Sequence, residues 1–104
     1  MSDLDKLFAT IASRKGADPS QSYTAKLLAA GVEKCAKKFG EEATEAMIAA
    51  IQKDKGALAK ESADVLYHLL VLWAASGITP DDVYAVLKAR EGTSGLEEKA
   101  SRKG

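Results

Sequence analysis

The chain has 104 residues, with fifteen Lys+Arg against fifteen Asp+Glu, and so a formal net charge of zero. That length makes one small domain, residues 1–104, with a core modest enough that sharing apolar surface with a second copy is expected. The absent basic excess speaks against a general nucleic-acid binder, and the single cysteine, Cys35, rules out an intrachain disulfide and suits a reducing cytosol.

Both prolines fall in expected connections, and the long proline-free segments are rich in Ala, Leu, Lys and Glu. No alternating apolar–polar run suggests a strand, so the expected class is all-α. A first helix runs from about Asp3 to Ser13. Ser2 can cap it, and Leu4, Leu7, Phe8 and Ile11 give its apolar stripe. The segment Met1 to Thr10 carries acids and lacks the basic-then-apolar pattern of a signal peptide. Gly16-Ala17-Asp18-Pro19-Ser20 breaks the pattern. A second helix begins near Ser22 to Thr24, and Gly31 kinks or interrupts it. A long helix follows over about Val32 to Gln52, with a turn expected at Asp54-Lys55-Gly56. The next spans about Ala57 to Ser76 and stops at Gly77, a good C-cap residue. Thr79-Pro80-Asp81-Asp82 is a strong start for the last helix, which ends near Arg90. The rest, Gly92 to Gly104, is small and charged, and alone reads as a mobile end.

The helix before Gly77 is apolar nearly all round from Ala63 to Ala75: Val65, Leu66, Leu69, Leu70, Val71, Leu72 and Trp73. Its longest apolar stretch, interrupted by His68, is too short for a membrane span, which needs about 20 residues. A cytoplasmic protein is the expectation. A helix apolar on every side must be buried on every side. So small a chain has few helices with which to wrap it, which predicts a homodimer.

Two groups of carboxylates carry the candidate chemistry. They are Glu41-Glu42-Ala43-Thr44-Glu45 on one helix and Glu61-Ser62-Ala63-Asp64 on the next. Residues three or four apart share a helix face, so Glu42 lies with Glu45, Glu41 with Glu45, and Glu61 with Asp64. The two helices should pack antiparallel across their short turn. Glu42 stands about 13 residues before the turn centre and Glu61 about six after it. At about 1.5 Å per residue the two levels differ by roughly 10 Å, so geometry permits their meeting without imposing it.

The plain alternative is a solvated acidic surface, and it suits Glu41 and Glu45 taken alone. Glu61, however, projects with Val65, His68 and Leu72, and Glu42 with Cys35, Phe39, Ala46 and Ala49. Acids on apolar stripes are unusual unless paired or bound to a metal. Two carboxylates ~5 Å apart repel by roughly 3 kcal/mol at an effective dielectric of about 20, so a group of them favours a cation. Oxygen-only donors suit Mg²⁺, and one His with one Cys leaves no structural zinc site. Lys34 and Lys38 lie on the same side of the helix one to two turns earlier. They are either ordinary surface charge or a phosphate cradle beside the metal. His68, alone in an apolar helix, reads as a satisfied core residue, and Tyr67 and Trp73 as core or dimer interface.

Glu-Glu-x-x-Glu followed by Glu-x-x-Asp resembles the MazG-like all-α nucleotide pyrophosphatases. Ser22-Tyr23-Thr24-Ala25-Lys26-Leu27, Gly31 through Lys38, Ala63-Asp64-Val65-Leu66-Tyr67-His68, and the run from Arg90 to Arg102 resemble one branch, the phosphoribosyl-ATP pyrophosphatase family. The likeness covers nearly the whole chain, and the final run is its most specific part. It implies an all-α dimer that hydrolyses phosphoribosyl-ATP to phosphoribosyl-AMP and pyrophosphate, an early step of histidine biosynthesis. It also implies Glu42, Glu45, Glu61 and Asp64 as principal Mg²⁺ ligands, with Glu41 as a further ligand or the residue that orients the attacking water. Lys34 and Lys38 would contact phosphates, with Lys99 and Arg102 as weaker candidates. The final run would become a substrate lid, and no covalent nucleophile is needed. Ser22, Tyr23 and Thr24 would contact substrate or else cap the second helix. A hand-off of product to a phosphoribosyl-AMP cyclohydrolase is implied, although the cyclohydrolase domain sometimes fused to this family is not expected in these residues. Two rivals remain: a house-cleaning pyrophosphatase of the same superfamily acting on other (deoxy)nucleoside triphosphates, and a non-enzymatic helical dimerisation module.

Overall fold

A computed structural model describes residues 2–91 and contains five helices: α1 (Asp3–Ser13), α2 (Tyr23–Ala30), α3 (Val32–Ile51), α4 (Lys55–Ser76) and α5 (Pro80–Ala89). No strand occurs among the described residues, as the missing alternation predicts. Local side chains set the helix starts. The Ser2 hydroxyl accepts from the Asp5 N–H at 3.1 Å while the Asp5 carboxylate accepts from the Ser2 N–H at 3.2 Å. Thr79 and Asp82 repeat this reciprocal box at the start of α5.

The expected turn at Asp54-Lys55-Gly56 lies slightly earlier. Asp54 is an N-cap, its carboxylate accepting from the Ala57 N–H at 3.0 Å, so Lys55 and Gly56 already belong to the first turn of α4. Lys53, with φ at 60°, takes the left-handed conformation that reverses the chain instead. Counted from the true helix ends, Glu42 stands nine residues before Ile51 and Glu61 six after Lys55. The offset is then about 4.5 Å rather than roughly 10 Å, which a glutamate side chain can span.

Helices α3 and α4 form the main packed pair; α1 lies on α4, α2 touches both, and α5 rests on α1. Tyr84 of α5 ties down α1 through a 3.2 Å hydrogen bond from its hydroxyl to Asp5, and α4 and α5 meet at 106°. The core gathers Ile11, Leu27, Cys35, Leu70, Val71 and Ala74, with Leu4, Leu7, Phe8, Leu28, Tyr67, Leu72 and Trp73 packed against it. Residues 70, 71 and 74 of α4 supply its centre at helical spacing. Burying one such side chain contributes about 1.5–3 kcal/mol.

Gly31 separates α2 from α3 with φ 100° and ψ 171°, a region that residues with a Cβ essentially never enter. The break leaves carbonyls at the end of α2, and the Cys35 thiol donates to one of them, Leu27 O, at 3.3 Å. The single cysteine is therefore a buried brace between α2 and α3, and burial pushes its pKa up. Among the described residues no single helix is long and apolar enough to cross a membrane.

The wrapping of α4 is incomplete in one chain. Leu70 and Val71 are fully covered, but Leu66 remains 43% exposed, and on α3 so do Met47, Ile48 and Ile51, the last at 79%.

Candidate metal and substrate site

The α3–α4 pairing brings Glu42, Glu45 and Glu61 together, one carboxylate oxygen from each lying within 4.8 Å of the others. The side chains of Glu42 and Glu61 are only 17% and 19% exposed, in keeping with their places on apolar stripes. One Glu61 oxygen, Oε2, is buried with no hydrogen-bond partner. Contact with Glu42, first as a hydrogen bond and then through its charge, holds the Glu45 carboxyl above the usual carboxylate range. Crowded carboxylates with an unsatisfied buried oxygen fit a hard divalent cation, which takes oxygen ligands and offsets their repulsion.

The other two acids stand apart from this group. Asp64, one turn beyond Glu61 and 43% exposed at its side chain, lies 3.6 Å from Lys60 Nζ. Lys60 also approaches Glu61 at 3.5 Å, and the charges of Glu61 and then Asp64 raise its pKa. Glu41 turns to Lys38, which donates to it at 3.2 Å. That bond lowers the Glu41 pKa and raises that of Lys38.

His68 is buried, as its apolar surroundings predict, at 6% exposure. It is not satisfied, however: Nδ1 has no partner, and Nε2 stands 4.0 Å from Glu42, beyond hydrogen-bond reach. Burial, and then the charge of Lys38, lowers its pKa. The rings of Tyr67 and Tyr23 meet it edge-on, with centroids at 4.9 and 6.3 Å. Its neighbourhood with Glu42 was legible only as a shared helical stripe with Glu61; the approach of α3 is tertiary.

Around the N-terminal half of α3, Tyr23, Lys26, Leu27, Ala30, Lys34 and Lys38 line a cleft of about 270 Å³. Sequence reasoning singled out Lys34 and Lys38 but passed over Lys26, which carries no signal until α2 folds beside α3. Of the Ser22-Tyr23-Thr24 run, Ser22 caps α2 by accepting from the Ala25 N–H at 3.1 Å. Thr24 hydrogen-bonds the Tyr67 hydroxyl, and Tyr23 faces the cleft with half its surface open. Lys99 and Arg102, with the whole run from Gly92, lie outside the described residues.

Fold and donor set together define an all-helical protein with carboxylates placed to hold a metal, and comparison with known proteins narrows the class. The profile of the phosphoribosyl-ATP pyrophosphohydrolase family matches residues 4–91. The chain is 63% identical to a phosphoribosyl-ATP pyrophosphatase of Cereibacter sphaeroides, over 98% of this chain and 99% of that one. It is 63% identical to that of Parvibaculum lavamentivorans, over 97% and 93%, and 58% identical to that of Azospirillum brasilense, over 96% and 90%. The chain therefore belongs to the phosphoribosyl-ATP pyrophosphohydrolase family and, as a member, is a hydrolase.

Proposed function

We propose that the chain hydrolyses phosphoribosyl-ATP to phosphoribosyl-AMP and pyrophosphate, a step of histidine biosynthesis, at the Glu42–Glu45–Glu61 group. The observation that carries the site assignment is that three carboxylates from two helices come within 4.8 Å of one another, and that one Glu61 oxygen is buried without a partner. Such an arrangement is costly unless a cation is held. The substrate follows from the printed names of relatives matched over nearly their full length.

Glu42, Glu45 and Glu61 would hold Mg²⁺, with Asp64 as a fourth ligand once released from Lys60. Bound there, Mg²⁺ would supply positive charge to phosphate oxygens and lower the pKa of the attacking water. Glu41, exposed and bonded to Lys38, orients that water or adds a ligand. Lys38 and Lys34 contact phosphates of the substrate, Lys38 from beside Glu41. Cys35 is buried as a brace, so water rather than the thiol is the nucleophile.

The working unit we propose is a single domain over residues 1–104, paired as a homodimer in the cytoplasm. Exposed Leu66, Met47 and Ile51 supply apolar surface for the pairing. Its product would pass to a phosphoribosyl-AMP cyclohydrolase.

The deciding experiment measures pyrophosphate release from phosphoribosyl-ATP, with Mg²⁺ and with EDTA. Metal-dependent release with phosphoribosyl-AMP as co-product is expected. Preferred turnover of dCTP, dUTP or ATP would instead support the sister-enzyme reading, and no turnover of any nucleotide by the folded protein would sink the proposal.

A further inference from the structure

The lysine cleft has more charge than the chemistry at the carboxylates uses. Lys26 projects from α2, and Lys34 and Lys38 from successive turns of α3, into one hollow of about 270 Å³. Lys38 has Glu41 as a partner. Among the described residues neither Lys26 nor Lys34 has a carboxylate within 4.0 Å. Like charges gathered in a concave hollow favour an anion there.

The cleft leads away from the carboxylates: Lys38, bonded to Glu41, borders them, and Lys34 lies farther back. Lys34 is eight residues before Glu42, which is about 12 Å along the helix axis. An aromatic lies between the two. Tyr23, 53% exposed, lines the cleft and meets the edge of His68 at 6.3 Å, and His68 Nε2 lies 4.0 Å from Glu42. Apart from Lys38, which borders the acids, the order is thus carboxylates, the Tyr23 ring, then Lys26 and Lys34.

Phosphoribosyl-ATP has the same order. Its triphosphate is followed by a nucleoside, and the adenine N1 carries a second ribose ending in a 5-phosphate. The phosphates of the triphosphate are joined by single bridging oxygens and stay beside the carboxylates that hold their cation. The distal phosphomonoester is separated from them by the nucleoside. We propose that Lys26 and Lys34 of this cleft bind this distal 5-phosphate, with Tyr23 against the base, and so distinguish phosphoribosyl-ATP from ATP. This rests on the substrate reading given above. Cations that face the distal phosphate attract phosphoribosyl-ATP and offer ATP no matching contact.

The test uses the full chain with Lys26→Gln and Lys34→Gln combined. Both residues are exposed, and circular dichroism checks the fold. Calorimetric titration in EDTA compares phosphoribosyl-AMP with AMP, which differ only by the distal phosphoribosyl group. The wild-type chain should prefer phosphoribosyl-AMP by about tenfold or more, and the double variant should lose that preference. The Arg pair at the same positions should retain it. With Mg²⁺, kcat/KM of the Gln variant should fall about tenfold further for phosphoribosyl-ATP than for ATP. Equal losses on both substrates would assign the lysines to the triphosphate and overturn the proposal, as would an unchanged preference. If the wild-type chain fails to turn over phosphoribosyl-ATP, the substrate reading falls by itself; the titration in EDTA still decides whether the cleft takes the distal phosphate.

Discussion

A glutamate oxygen buried without a donor is costly in isolation, and Glu61 carries one beside two other carboxylates. Replacing Glu61 by Gln keeps the volume and removes the charge. Mg²⁺ affinity by calorimetry and pyrophosphate release should each fall by about a hundredfold or more, with the helical circular dichroism unchanged. Full activity or full Mg²⁺ affinity in this variant would refute the site. Glu42 and Glu61 were legible as candidate site acids because a period of 3.6 places them on apolar stripes. Asp64, inseparable from Glu61 in the sequence motif, lies outside the Glu42–Glu45–Glu61 group, and Lys60 pairs with both. Cys35 gives a second residue-level prediction. Its thiol is 1% exposed, hydrogen-bonded to Leu27 O, and raised in pKa by burial. It should resist a thiol reagent in the native protein and react on addition of denaturant. Rapid labelling without unfolding would contradict the brace.

The helix boundaries follow from capping chemistry, so most were readable in advance. Ser2, Ser22 and Thr79 accept from backbone N–H groups at the starts of α1, α2 and α5, and Gly77 in the left-handed conformation ends α4. Gly31 is the element-scale feature with the strongest consequence. A Cβ there would meet nothing within 4 Å, so Gly31→Ala probes backbone conformation alone. At φ 100° and ψ 171° the expected cost is about 1–3 kcal/mol, which lowers the melting midpoint by roughly 5 °C or more in a domain of this size. An unchanged midpoint in calorimetry would mean that α2 and α3 tolerate a different junction. The α3–α4 turn shows the limit of counting along the chain. Asp54 caps α4 earlier than the glycine at position 56 suggests, and that shift brings Glu42 nearly level with Glu61.

At the scale of the whole molecule, one chain leaves Ile51, Met47, Ile48 and Leu66 substantially open to water. Apolar residues of this size on a small core favour association. Light scattering at micromolar concentration should give about twice the 11.0 kDa of one chain. Ile51→Glu, which introduces a charge at the most exposed of these positions, should shift the distribution toward the monomer without unfolding the helices. A stable wild-type monomer would remove the argument drawn from α4.

The sequence by itself determined the all-α class, the order of the helices, their caps, and which acids sit on buried stripes. All of these depend on local periodicity and on hydrogen bonds spanning three or four residues. Tertiary structure decided what crosses between helices. It joined Glu42 and Glu45 to Glu61, left His68 buried but without a hydrogen bond beside Glu42, and placed Lys26 in a cleft with Lys34 and Lys38. The physical reason is that a helix fixes the direction of each side chain relative to its own axis. Only the packing of a second helix fixes how far along that axis, and against what partner, the side chain arrives.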